Sequence, residues 1–308
     1  MLVSLPCMSS KIHYQQCPVC NSRNILKVLT AEDFTASHEK FEIWECEDCK
    51  VRFTQDVPDM DGIGQYYKAD AYISHTDTNK GFVNRMYHYV RSVTMKQKKS
   101  FVEKATGLKA GSFLDIGAGT GAFADIMQKA GWQVTGLEPD ETARGNAQRL
   151  HGLTFGPSSD LFSLEENSFD AVTMWHVMEH VHDLHGYWKR VSRILKDTGV
   201  FIVAVPNYTC YDAQYYGAYW AAWDVPRHLY HFSPWSMDVL AKQYGFEITR
   251  HIPMVFDSYY VSMLSEKYKK GKSRNLVAFT TGLESNQRAA RNPQKYSSVI
   301  YVMKRAKN

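Results

Sequence analysis

The chain has 308 residues, 44% hydrophobic and 22% charged, a length for about two domains that each bury a core, which excludes intrinsic disorder as the main state. Its 36 Lys and Arg against 32 Asp and Glu leave a net charge of +4, too small to imply a polyanionic partner by itself. No run approaches the roughly 18 to 20 apolar residues of a membrane helix, and the opening MLVSLPCMSS lacks the charged start and long apolar stretch of a secretion signal, so a cytoplasmic protein without a membrane span is expected.

The first ten residues carry no periodic pattern and are expected to fray. From His13 to about Pro58, the runs Ile25 to Leu29, FEIWECEDC and VRFT alternate as strands do, which predicts a small β unit. Within it stand two CxxC turns, Cys17 with Cys20 and Cys46 with Cys49. Each turn can aim two sulfurs at one point, and together they supply the four thiolates of a tetrahedral zinc site. The gap between the turns exceeds the usual ribbon spacing, which a longer hairpin absorbs. Such a closed set leaves no open position, so its role would be structural or in recognition. The competing readings are four small buried hydrophobes, or a redox pair, which would come singly beside a βαβ pattern. Cys7 and Cys210 stand alone.

Asp56 to Gly64 reads as a hinge, and Asn79 to Ala105 spaces Phe82, Met86, Tyr89, Val93, Phe101 and Val102 near a helical period. The basic run Lys96, Lys98, Lys99 and Lys104 reads as a solvated helix face, with phosphate contact as the alternative. From Ser112 the pattern alternates: SFLDI, WQVTGLE, FDAVTMW and VFIVAVP as strands, with helices over Gly121 to Ala130, Asp140 to Leu150 and Leu184 to Leu195. That alternation is the sequence form of a parallel sheet covered on both faces. A helix near Trp235 to Tyr244, the strand FEITRHI and a last strand SSVIYVM follow, while Asp257 to Lys295 reads only as some helix near Val261 to Tyr268.

The segment Leu114-Asp115-Ile116-Gly117-Ala118-Gly119-Thr120-Gly121 links the first of these strands to its helix. Glycines there let the backbone approach a ligand, and the helix start offers free N–H donors. Taken alone it also fits a dinucleotide fingerprint with pyrophosphate on the helix end. Glu138, closing the next strand, suits ribose hydroxyls in either case, whereas the acidic Asp115 disfavours a pyrophosphate and suits a cationic ligand.

LDIGAGTGAF, GLEPD and SFDAVTMWHVMEHV together resemble the motif series of class I S-adenosylmethionine-dependent methyltransferases, over roughly Ser112 to Pro206 and more loosely near Val299. The resemblance implies an α/β fold, a Rossmann-like and mostly parallel seven-stranded sheet with helices on both faces, here preceded by the small β zinc-binding unit. It also implies S-adenosyl-L-methionine as cofactor. Gly117, Ala118, Gly119 and Gly121 would lie under its methionine and ribose, Asp115 near its amino acid end, Glu138 and Pro139 at the ribose, and His176 beside the methyl donor. The stretch Gly156 to Leu161 would edge the adenine, with Pro157, Ser158, Ser159 and Asp160 as rivals. The resulting organisation is a zinc-ribbon-like unit over 1–60, a helical linker over 61–110, and a methyltransferase domain over 111–308 with insertions at about 207–234 and 257–296.

The insertion Trp220-Ala-Ala-Trp-Asp224-Val-Pro226-Arg227-His228-Leu-Tyr230-His231-Phe232 begins just past the carboxyl edge of the sheet, where ligands of such folds bind. It resembles the W-x-D-x-P-R-H-x-x-x-F signature of a bacterial methyltransferase subgroup, and some sugar C-methyltransferases likewise carry an N-terminal four-cysteine zinc domain. The alternative is that Trp220, Trp223 and Phe232 fill a core and Arg227 pairs with Asp224. Tyr208, Tyr211, Tyr215, Tyr216 and Tyr219 either line a pocket or pack, and His180 and His182 read as ties between loop and backbone. Methyl transfer to oxygen or carbon needs a base, and histidine suits by its pKa of about 6.5. The candidates are His228 and His176, with His231 and Tyr230 as alternates. The expected acceptor is a small molecule, or a glycosyl or lipid-linked one. Without a D/N-P-P-Y/F turn after the fourth strand, nucleic-acid amine methylation is disfavoured; an RNA methyltransferase using the zinc ribbon is the rival enzyme. A non-catalytic cofactor-binding docking protein is the rival of another class.

Overall fold

The structure, a computed structural model, describes residues 10–67 and 82–306, with side chains of the second span from residue 94 onward. The expected frayed start, Cys7 and the first residues of the long helix lie outside the described residues. In chain order the elements are β1 (Lys11–Ile12), β2 (Ile25–Glu32), β3 (Lys40–Cys46), β4 (Arg52–Thr54), β5 (Val57–Pro58) and the long α1 (Phe82–Thr106). Then come β6 (Ser112–Ile116), α2 (Ala122–Lys129), β7 (Gln133–Leu137), α3 (Glu141–His151), β8 (Phe169–Trp175), α4 (Leu184–Ile194), β9 (Leu195–Pro206) and α5 (Tyr211–Tyr216). The chain continues with β10 (Tyr230–His231), α6 (Pro234–Gln243), β11 (Phe246–Pro253), α7 (Asp257–Lys270), α8 (Asn275–Ala289) and β12 (Ser298–Arg305).

The main sheet runs β11-β12-β9-β8-β6-β7. Strands β7, β6, β8 and β9 are parallel, and β12 and β11 are antiparallel. Residues Val200 to Pro206 of β9 are buried without interruption, as expected of a strand covered on both faces. On one face α4 lays Leu184, Trp188, Val191 and Ile194 against the sheet at helical spacing, its start capped by the Asp183 carboxylate, which accepts from Gly186 N–H.

Among the described residues the sheet has six strands where seven were expected. The place of the missing strand beside β7 is taken by a single bridge, Leu137 with Gly156. There Glu138 N–H donates to Gly156 O at 2.9 Å and Gly156 N–H to Gly136 O at 3.1 Å. The ladder stops there because the chain turns into a 3-10 helix from Ser158 and the next acceptor on β7, Glu138 O, is taken by the Arg144 guanidinium at 2.7 Å.

A second, antiparallel sheet runs β10-β4-β3-β2, and β1 pairs with β5. Its fourth strand comes from the insertion after β9: Tyr230 opposes Phe53 and His231 opposes Arg52. One apolar cluster joins Cys17, Val19, Phe53, Tyr230 and Phe232 to Leu114, Met174, Trp188 and Val203 of the main sheet and α4.

The segment 257–296, of which only a helix near Val261 to Tyr268 was expected, is a helical hairpin of α7 and α8. The two helices meet closely, since a Cβ on Gly282 would fall 2.8 Å from the Tyr259 ring. Behind them the buried Asp212 carboxylate accepts from Trp220 Nε1, Ser285 Oγ and Ser297 Oγ at 2.6 to 2.8 Å.

Candidate functional site

At the carboxyl ends of β6 and β7, Gly117 and Ala118 both donate their N–H to Leu137 O, at 2.7 and 3.0 Å, folding the turn against the neighbouring strand. Gly117 has φ +75°, and a Cβ there would fall 2.3 Å from Val177, so only glycine fits. Gly121, at φ +84°, stands at the start of α2. The Glu138 carboxylate spans the turn, accepting Gly119 N–H at 2.8 Å and Asp140 N–H at 3.0 Å. Burial pushes its pKa up despite these donors. Pro139 follows it, and the guanidinium of Arg144 donates to the carbonyls of Glu138 and Pro139 at 2.7 and 2.8 Å. Asp115 is 2% exposed and accepts from Thr173 Oγ1 at 2.6 Å. Burial, only partly offset by that hydroxyl and by Lys98, raises its pKa to about 6. The turn therefore carries two buried carboxyl groups at the edge where ligands of parallel sheets bind.

His176 closes β8 at φ +54°, an uncommon conformation for a side chain of this size. Its Nε2 lies 3.2 Å from Asp257 Oδ2 at the start of α7, and its Nδ1 3.4 Å from Glu179 Oε1. Burial alone would lower its pKa, but the carboxylates of Asp257 and Glu179 outweigh that and raise it to about 10. With both ring nitrogens directed at carboxylates, His176 is an imidazolium at neutral pH and offers no lone pair, which corrects its candidacy as the base.

His231 is 4% exposed, set edge-on to Trp223 with centroids 4.9 Å apart. Its Nε2 meets Thr54 Oγ1 at 3.1 Å, and that hydroxyl donates to His228 O at 2.7 Å. Its pKa falls well below the usual value through burial, reinforced by His228 and Arg52. It is a neutral spacer within the β10–β4 pairing, so the structure moves it from the acceptor side into the core. Tyr230, the other alternate, is 2% exposed and directs its hydroxyl to His182 O at 3.3 Å.

His228 differs from both. Its Nδ1 is 2.9 Å from Ala222 O, and because a carbonyl only accepts, the neutral ring carries its proton there and has its lone pair on Nε2. Nε2 lies 3.8 Å from Asp224 Oδ2 and its ring packs edge-on to His180 at 4.6 Å between centroids. Asp224 and Arg227 form the expected pair: the guanidinium donates to both Asp224 oxygens, to Asp33 Oδ1 at 3.0 Å and to Tyr66 O at 3.0 Å. Trp220, Trp223 and Phe232 are buried, as the packing reading had it. The tyrosines do not line one pocket: Tyr208 is buried, its hydroxyl on Lys50 O, while Tyr215 and Tyr219 are exposed. Lys98 sits 4.2 Å over the Trp175 ring and Lys99 pairs with Glu103 at 2.9 Å, so half of the basic run is engaged within the protein.

Glu179 and Asp257 were missed in the sequence. Glu179 stands in plain view beside His180, but nothing in MEHVHD says that its side chain turns inward. Asp257 lies 81 positions after His176, a distance that no local pattern bridges.

At the other end of the small sheet, the Sγ atoms of Cys17 and Cys49, and those of Cys20 and Cys46, are 3.5 Å apart. All four cysteines are unbridged and their sulfurs lie within 4.8 Å of one another. Four sulfurs converging from two CxxC turns fit a tetrahedral zinc ion. Among the described residues no helix is long and apolar enough to cross a membrane.

Residues 86–251, more than half of the chain, match the family model described as a methyltransferase domain. The chain belongs to this methyltransferase family. This methyltransferase is 30% identical over 105 residues to the demethylmenaquinone methyltransferase of Tropheryma whipplei (strain Twist), covering 32% of this chain and 44% of that one. It is 29% identical over 143 residues to the ubiquinone biosynthesis O-methyltransferase of Xanthomonas oryzae pv. oryzae (strain PXO99A), covering 43% and 59%. It thus spans about half the length of the curated relatives it matches. In fold it is similar, at a TM-score of 0.51 and 14% identity, to the geranyl diphosphate C-methyltransferase of Streptomyces coelicolor A3(2), solved with Mg2+, geranyl diphosphate and S-adenosyl-L-homocysteine, over 75% of this chain and 88% of that one.

Proposed function

We propose that this methyltransferase transfers the methyl group of S-adenosyl-L-methionine to an oxygen or carbon of a small-molecule, glycosyl or lipid-linked acceptor. The observation that carries the reading is the pair of buried carboxyl groups, Asp115 and Glu138, flanking the glycine turn at the ends of β6 and β7. A cofactor with a cationic amino acid end and a ribose diol suits both. Glu138 would exchange its N–H contacts for the ribose hydroxyls, and Asp115 would gain a cation close to a carboxyl that burial otherwise penalises. The names of the quinone-pathway relatives support an acceptor of small-molecule class. In the same reading Cys17, Cys20, Cys46 and Cys49 hold a structural zinc ion.

The cofactor brings its own activation, so the protein's task is to align donor and acceptor, exclude water and remove a proton. His176, held as a cation by Asp257 and Glu179, positions the end of β8 against the Gly117 turn. Proton removal falls to the group around His228, whose Nε2 is a lone pair in a buried, polar setting.

Calorimetric titration with S-adenosylmethionine and S-adenosylhomocysteine, with NAD as control, tests the cofactor assignment; micromolar binding of the first two alone is expected, and binding of NAD alone would sink it. In a transfer assay His228→Gln lowers turnover by about 10²- to 10⁴-fold with the affinity for S-adenosylhomocysteine unchanged. Unaltered turnover would remove His228 from the chemistry.

A further inference from the structure

We propose that Glu179, His180 and His228 form a site for a divalent transition-metal cation, separate from the four cysteines. The ligand-capable atoms of these three residues lie within 4.8 Å of one another. Atoms bound to one ion at about 2.0 to 2.2 Å stand roughly 3 to 4.3 Å apart, so closure needs only small side-chain adjustments.

The hydrogen bonds prepare the ligands. His228 Nδ1 faces Ala222 O at 2.9 Å, and His180 Nδ1 faces both Arg227 O and the Tyr67 hydroxyl at 3.0 Å. Both carbonyls only accept, so in the neutral rings both protons sit on Nδ1, with the Tyr67 hydroxyl as a second acceptor on His180, and the lone pairs are left on Nε2. Metal-bound histidines have this second contact almost without exception. Glu179 is 0% exposed. Its Oε1 has the ion-pair contact to His176 at 3.4 Å without hydrogen-bond alignment, and its Oε2 has no hydrogen-bond partner among the described residues. Three acceptors within reach of one another, one of them a buried carboxylate that the His176 cation meets only at Oε1, carry a desolvation cost that a second cation reduces.

The surroundings add negative charge. Asp224 lies 3.8 Å from His228 Nε2, and with Asp33 it shares the guanidinium of Arg227. The ligands are also held rigidly: Leu229 N–H donates to Glu179 O at 2.7 Å, tying the loop after β8 to the insertion that bears His228. Two imidazoles with one carboxylate favour Zn2+, Fe2+, Co2+ or Mn2+ over Mg2+ or Ca2+. Three protein ligands leave a position open for an acceptor hydroxyl. That last role rests on the proposed function and takes the place of a free His228 base, since a lone pair given to the cation cannot take a proton and the cation instead acidifies the hydroxyl bound to it; the metal site stands on the geometry of the cluster.

The test counts metal. Full-length wild type and Glu179→Gln are equilibrated with excess Zn2+, desalted and analysed by inductively coupled plasma mass spectrometry, with a parallel anaerobic Co2+ titration followed optically. Wild type is expected to hold one equivalent more than Glu179→Gln. The strong thiolate-to-cobalt band from the four cysteines is expected in both proteins, and a weak d–d band from nitrogen and oxygen ligands in wild type only. Equal metal content in the two proteins overturns the proposal. The Gln side chain is isosteric, and a circular dichroism melt checks that the variant is folded. Should it not fold, the wild-type Co2+ titration decides alone: absence of the second, weakly absorbing equivalent overturns the site. Binding of S-adenosylhomocysteine, measured on the same samples, reports on the cofactor reading independently.

Discussion

Asp115 sits where folding and ligand binding pull in opposite directions. Burial raises its pKa from 3.8 to about 6, so the folded state resists ionisation that the unfolded chain accepts. Below pH 3.8 both states are protonated and the residue is neutral in effect. As pH rises to about 6 the unfolded chain ionises first, and stability falls by up to about 3 kcal/mol, a cost that persists at higher pH. Asp115→Asn should therefore melt at a higher temperature than wild type at pH 7 without ligand, with the difference vanishing near pH 4. It should also bind S-adenosylmethionine at least about tenfold more weakly, roughly 1.4 kcal/mol. A stability difference independent of pH would show that the carboxyl is not penalised as described. This residue, the glycines and Glu138 were legible in the sequence because a turn between strand and helix constrains residue type locally. The states of the histidines were not: His176 and His231 depend on partners far away in the chain, Asp257 and Thr54, and the tautomer of His228 depends on how an irregular loop folds Ala222 O back onto it.

At the scale of elements, Arg227 joins three segments: Asp33 at the end of β2, the carbonyl of Tyr66, and Asp224 within the insertion. Replacing it with Met strands two buried carboxylates, so Arg227→Met should cost about 3 to 5 kcal/mol, read as a lowered urea midpoint. Arg227→Lys should fall between, since a lysine keeps the charge but cannot fork to all three partners. If both variants matched wild type, the fork would be incidental. The parallel strands were readable because Val, Ile and Phe runs bounded by glycine turns have few other fates. Helix α8 was not, because its pattern is inverted: it buries Ala278, Thr281, Gly282, Ser285, Asn286 and Ala289 while Leu276 and Phe279 face outward at 78% and 55% exposure. Small and polar residues form the inner face because α7 approaches closely and Asp212 needs the Ser285 hydroxyl. Strand β10, two residues long, carries too little pattern to be seen, and the seventh strand gave way to the 3-10 turn from Ser158.

For the whole molecule, the continuity of the apolar cluster from Cys17 and Phe53 through Tyr230 to Trp188 and Val203 matters most. A shared core predicts shared melting. Calorimetry should give one transition, and replacing Cys46 with Ser, which under the proposed function removes a zinc ligand, should lower that whole transition instead of releasing a small early one. Two resolved transitions would mean that the small β unit and the parallel sheet unfold independently.

The pairing of β10 with β4 also has a consequence for synthesis. Phe53 leaves the ribosome about 177 residues before its partner Tyr230, which at 5 to 20 residues per second is roughly 9 to 35 seconds. Through that interval the nascent small sheet ends in an open edge at Arg52 to Thr54, able to pair with any passing strand. The early cysteine turns can fold while this edge waits, so expression at high rate is where this chain is most exposed to mispairing between copies.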